Sequence, residues 1–171
     1  LTVNTVLAQT ADNSIKIGFR NEFWESNYPN RQLYNLTYGV KLGKHDLFIR
    51  SNLMAVNNTT GAQVLVDFYP KFTEKSYGYF SAAYSEFSLF PRLRLAAEYF
   101  RIFGKWETSL GLRYSNTVDK NIYGLTGMIG RYHGNWFTYV RPVFSLVDGD
   151  LAEGLMVSSR RYFATKDQYA E

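Results

Sequence analysis

Apolar and polar side chains alternate along this chain in segment after segment, and the charges of each segment keep to one parity. In 15–24, Ile15, Ile17, Phe19 and Phe23 are odd, while Lys16, Arg20 and Glu22 are even. In 106–115, Trp106, Leu110, Leu112 and Tyr114 alternate with Glu107, Ser109, Arg113 and Ser115. A period of two is that of a strand with one apolar and one polar face. The apolar faces are rich in Tyr, Phe, Leu and Val, and the polar faces carry Arg and Glu at mid-strand. That arrangement suits a strand with lipid on one side and a hydrated interior on the other.

The pattern predicts about ten strands: 14–25, 32–42, 46–56, 62–71, 77–86, 93–102, 106–115, 121–132, 136–145 and 154–164. Their lengths match the roughly 9–11 tilted residues that cross a bilayer, against about 5–6 in soluble sheets. Tight turns are expected at 43–45, 72–76, 103–105 and 133–135, and longer connections at 26–31, 57–61, 87–92, 116–120 and 146–153. Outer-membrane barrels keep short turns on the periplasmic side, so the N-terminus and the tight turns are expected there. Pro142, inside a strand segment, predicts a bulge because proline removes a ladder donor. Residues 1–13 read as an N-terminal extension or the remnant of a signal peptide, 14–165 as the barrel, and 166–171 as a polar tail.

Composition sharpens this reading. Aromatics make up 18% of the 171 residues, which suits β-structure and interfacial girdles. With 0 Cys, disulfides and thiolate metal sites are excluded. The net charge of +4 is spread along the chain, whereas a nucleic-acid footprint clusters, so no nucleic acid is expected. Mean hydropathy is −0.27, and no apolar run reaches the roughly 18 residues of a membrane helix. A barrel exposes only alternate residues to lipid, so this average is compatible with one.

From residue 67 onward a series of local motifs follows: Asp67-Phe68-Tyr69-Pro70-Lys71, Leu89-Phe90-Pro91-Arg92, Gly111-Leu112-Arg113-Tyr114 and Ile122-Tyr123-Gly124-Leu125-Thr126-Gly127. Then come Gly130-Arg131-Tyr132-His133-Gly134-Asn135-Trp136-Phe137, Val140-Arg141-Pro142 and Ser159-Arg160-Arg161-Tyr162-Phe163. In this order they resemble the YaiO-type outer-membrane β-barrel family, over roughly residues 14–165. The resemblance implies a bacterial outer-membrane barrel tied to envelope or exopolysaccharide work. It also implies further closing strands after Arg-Arg-Tyr-Phe, where this sequence has the polar run Lys166 to Glu171.

Catalytic chemistry has little to work with. The two histidines, His45 and His133, fall in tight turns and are paired with no Ser or acid by spacing, so neither forms a recognisable nucleophile–base group. No ligand spacing for a metal appears, and no cofactor is expected. The inward charges are the candidate chemistry: Arg20, Glu22, Arg50, Asp67, Arg94, Glu98, Glu107, Arg113, Arg141 and Arg161 as lumen-lining residues. They read either as an ion-pair network that fills a narrow barrel or as a cationic path for anionic solutes or glycans. Tyr69, Tyr77, Tyr79, Phe137, Tyr139 and Trp24 share the polar parity and either pack the interior or stack on sugars. Trp24, Phe103, Trp106, Tyr132, Trp136 and Phe144 sit near strand ends, where a membrane-interface girdle belongs.

The sequence thus predicts an all-β, antiparallel, up-and-down transmembrane β-barrel of about ten strands. Its expected role is non-enzymatic: a channel or a component of an envelope transport complex, or else a structural barrel with a plugged lumen that docks partners. The expected partners are the outer-membrane bilayer with its lipopolysaccharide, other envelope proteins and anionic glycans.

Overall fold

The computed structural model describes residues 2–9, 12–22, 30–163 and 169–170, with side chains for 12–22 and 30–163. The strands are β1 (Thr2–Gln9), β2 (Asn13–Glu22), β3 (Arg31–Leu42), β4 (His45–Val56), β5 (Thr59–Tyr69), β6 (Lys71–Thr73) and β7 (Ser76–Tyr84). They continue with β8 (Leu93–Phe103), β9 (Trp106–Asn116), β10 (Asn121–His133), β11 (Trp136–Val147), β12 (Asp150–Tyr162) and β13 (Tyr169–Ala170). All lie in one antiparallel sheet in which each strand pairs with its neighbours in sequence, apart from β6, which extends the line of β5 past Pro70 and pairs with β7. No helix occurs among the described residues. Each of the ten expected strands has a counterpart among the described residues; the ends expected at 23–25 and 164 lie outside them. Thr2–Gln9, expected to be an extension or a leader remnant, pairs along β2 with Thr2 opposite Arg20, so β1 starts at the end of the sheet away from the 43–44 turn and not, as expected, on the side of the tight turns. No ladder joins β1 to β12 or β13 among the described residues, so the sheet is open there.

Turns follow from a few backbone-permissive residues. Gly43, Gly104 and Gly134 take φ near +60° in the two-residue turns β3–β4, β8–β9 and β10–β11, a conformation that costs glycine little. Two connections expected to be long are equally short. Asn57 closes β4–β5 and Asp148-Gly149 closes β11–β12, with both non-glycine residues at positive φ (52° and 53°). Asn and Asp tolerate that region and match the strand twist. The connections 85–92 and 117–120 at the same end remain longer.

The expected bulge at Pro142 does not form. One register runs from Ile122↔Val147 to His133↔Trp136, and only the pairs opposite Gly127 and Met128 lapse. Proline has no N–H to donate, so a bond is lost without a shift in register. In partial exchange, the Thr126 hydroxyl donates to the Pro142 carbonyl at 2.9 Å.

The two faces are inverted relative to a soluble protein. Leu110, Leu112 and Ile129 are 65%, 64% and 61% exposed, while Asp67, Glu98, Glu107 and Thr126 are only 1–6% exposed. The inner face also carries a small apolar core of Phe100, Met128, Phe137 and Tyr139. The inner wall is therefore built from paired acids, hydroxyls and aromatic rings.

Candidate functional site on the inner wall

The inner wall is layered from the Gly43/Gly104/Gly134 end upward. Nearest those turns, Glu107 of β9 accepts from the Tyr77 hydroxyl at 2.5 Å and the Tyr132 hydroxyl at 2.7 Å. Each tyrosine is backed by a ring: Tyr77 stacks on Phe100 at 4.5 Å, and Tyr132 on Phe137 at 4.4 Å. Gly130 permits this packing, because a Cβ there would lie 2.4 Å from the Phe137 ring.

The next layer is centred on Glu98 of β8. The Arg141 guanidinium reaches it from β11 at 2.7 Å, the Ser109 hydroxyl donates to it, and Arg113 lies 3.8 Å away. Met128 Sδ is 3.8 Å from Arg141. Gly111 leaves room for the carboxylate side chain, since a Cβ there would lie 2.8 Å from Glu98. Beside this layer Asp67 accepts from the Tyr79 hydroxyl at 3.1 Å and pairs with Arg50 at 3.5 Å, and Arg50 in turn contacts Thr37. Each of these three buried acids thus has at least two partners, as charge burial requires.

Toward the longer connections the wall changes character. A hollow there is lined by Arg94, Arg113, Ser81, Ser115, Gly124 and Ser145. Arg94 and Arg113 are exposed on this surface. The connection 85–92 folds against the same rim: Ser85 Oγ donates to the Ala62 carbonyl at 2.6 Å, and Phe87 and Leu89 cover Gly61.

Of the expected inward residues, Arg50, Asp67, Glu98, Glu107, Arg113 and Arg141 meet in these networks. Arg20 and Glu22 share the inner parity of β2 and lie 3.8 Å apart, away from the acid layers. Arg161 is a correction. It pairs across the ladder with Trp136 and stacks over its ring at 5.6 Å, on the outer wall. Arg160 has the inner parity instead. Tyr132 is the second correction: it faces inward onto Glu107 and is no part of a girdle. In both cases the outward neighbours Leu155, Val157 and Ile129 already fixed the parity. Phe103, Trp106, Trp136 and Phe144 are exposed on the outer wall, and Trp24 lies outside the described residues. Ser109 and Thr126, which were not among the candidate lumen residues, complete the inner networks. His45 accepts a hydrogen bond from the Lys71 backbone N–H at 3.0 Å.

An apolar outer wall around a polar inner one is the signature of a membrane β-barrel, and the family comparison agrees. The model for the YaiO membrane β-barrel domain matches residues 12–171. The chain belongs to the YaiO membrane β-barrel family. No curated protein and no solved structure matches it. Within a YaiO barrel the exposed leucines and isoleucines face hydrocarbon. The charges of the inner wall avoid that medium, where an Arg at the midplane costs roughly 2–4 kcal/mol.

Proposed function

We propose that the protein is a non-enzymatic outer-membrane barrel that receives anionic glycan from the side of its longer connections, as a component of an envelope or exopolysaccharide assembly. One observation carries this reading. The inner wall pairs its acids at mid-depth and near the short turns, yet leaves the Arg94 and Arg113 guanidinium groups exposed among serines at the other end. Guanidinium groups match carboxylate and phosphate geometry, and flanking hydroxyls offer both donors and acceptors to sugar hydroxyls. The aromatic–carboxylate layer around Glu107 is packed like a core and acts as a floor beneath this vestibule. In this reading the short turns at Gly43, Gly104 and Gly134 lie in the periplasm and the 85–92 and 117–120 connections at the cell surface.

The packed floor equally favours a plugged structural barrel that docks partner proteins. The two readings separate on glycan binding. Purified protein in detergent should retard a uronic-acid polysaccharide such as alginate in affinity electrophoresis, and Arg94→Gln with Arg113→Gln should abolish the retardation. Wild-type protein that leaves alginate mobility unchanged favours the plugged docking barrel. Planar bilayers should show no steady conductance from the wild type, and a stable open pore would overturn the floor.

A further inference from the structure

The outer wall carries a second constellation, at the short-turn end, that the glycan reading does not use. Arg101 lies over the Phe103 ring at 4.9 Å, Arg131 over Trp106 at 5.3 Å, and Arg161 over Trp136 at 5.6 Å. All three arginines are exposed, and none has an acid within ion-pair distance among the described residues. The short-turn end adds Lys44, Lys71, Lys75 and Lys105 against Asp12, Asp46 and Glu74, with Asp46 already paired to Lys71, whereas the opposite rim mixes Glu86, Asp119, Asp148, Asp150 and Glu153 with Arg31, Arg92 and Lys120. The cationic charge is thus one-sided, and the aromatic rings hold each guanidinium at the level of an interface.

Above Arg101 the apolar wall is not flat. Two hollows, of about 570 and 350 Å³, share Phe80, Ala97 and Leu112 and merge into one groove. Small residues, Ala82 and Ala97, form its floor. Tyr99, stacked on Phe72 at 6.1 Å, flanks its lower end. Along β8 the groove runs from Tyr99 to Leu95, about 13 Å of strand, which is close to the roughly 15 Å of hydrocarbon in one leaflet. Arg101 stands two residues beyond Tyr99 on the same face, and Arg131 faces outward on β10.

We propose that this wall is a binding site for an anionic glycerophospholipid of the leaflet at the short-turn rim. Its phosphate is held between Arg101 and Arg131, and an acyl chain lies in the groove over Ala97. Guanidinium groups fix a phosphate in preference to a zwitterionic headgroup, and the small-residue floor gives the chain packing contacts that a smooth wall lacks. This inference rests on the membrane setting proposed above but not on the glycan site.

Trp106 supplies the readout. A Trp24→Phe, Trp136→Tyr protein leaves it as the sole tryptophan, to be reconstituted with brominated phosphatidylglycerol or brominated phosphatidylcholine in an unbrominated phosphatidylcholine background. Quenching should favour phosphatidylglycerol, and the preference should fall roughly fivefold for each of Arg101→Gln and Arg131→Gln. Ala97→Phe should weaken quenching by the anionic lipid while β-sheet circular dichroism stays unchanged. Lys120→Gln makes the same charge change at the other rim and should leave the preference intact. Equal quenching by the two lipids, an equal loss in Lys120→Gln, or stronger binding of lipid A than of phosphatidylglycerol would overturn the site. Absence of quenching by either lipid would remove the membrane setting itself, and this proposal with it.

Discussion

Arg141 of β11 donates to Glu98 of β8 at 2.7 Å, although 43 positions separate them and two strands lie between. The curvature of the sheet brings them together over β9 and β10. The glutamate side chain is buried, 4% exposed, and the arginine nearly so, 13% exposed. Removing Arg141 leaves a buried carboxylate with only Ser109 and the more distant Arg113. Arg141→Ala should cost about 3–5 kcal/mol, read as a lowered urea midpoint for protein refolded into vesicles. Glu98→Gln with Arg141→Met should recover most of that loss.

Glu107 makes the same point with neutral partners. Tyr77→Phe and Tyr132→Phe each delete one donor to it and should each cost about 1–3 kcal/mol. The double variant should lose more than the sum, because the first deletion leaves the carboxylate one remaining hydroxyl and the second leaves neither. Strict additivity in the denaturant midpoints would show that water or another donor replaces the tyrosines.

Gly130 tests the packing of the floor. Gly130→Ala places a methyl against the Phe137 ring, whose neighbours Tyr132 and Tyr139 leave it little room to move. The expected loss is about 1–3 kcal/mol, and near-ultraviolet circular dichroism should report a disturbed aromatic cluster. If the floor also blocks ions, this variant should raise bilayer conductance above the wild-type baseline.

Face inversion predicts opposite outcomes for one substitution. Leu112→Arg points into hydrocarbon and should cost about 2–4 kcal/mol. Ser115→Arg, on the other face of the same strand and near the hydrated end, should be close to neutral. The comparison needs a lipid bilayer, since detergent adapts to a charge more readily.

Much of this was legible in the sequence, because a strand buried on one face must alternate. The reading 93–102 fell within one residue of β8 (Leu93–Phe103), and 106–115 within one of β9. Parity also assigned Glu98, Glu107 and Arg141 to the inner wall. It did not say that Glu98 and Arg141 meet, since contacts across several strands depend on curvature and shear. Tyr132 was misplaced where strand-end position was weighed above parity, and Arg161 was counted among the inward charges against the parity of its own strand. The connections at Asn57 and Asp148-Gly149 were taken as loops for their polarity, although Asp-Gly is a hairpin signal. Thr2–Gln9 was missed because Leu7 and Ala8 interrupt its alternation, and a bulge lies there.

The meander of consecutive hairpins bears on how the protein is made. Almost every backbone ladder joins segments that leave the ribosome one after the other, so each hairpin can zip from its own turn without waiting for distant sequence. Such local wiring favours rapid assembly. The slow events should then be the few long-span contacts, among them the late arrival of the β11 guanidinium at its carboxylate on β8.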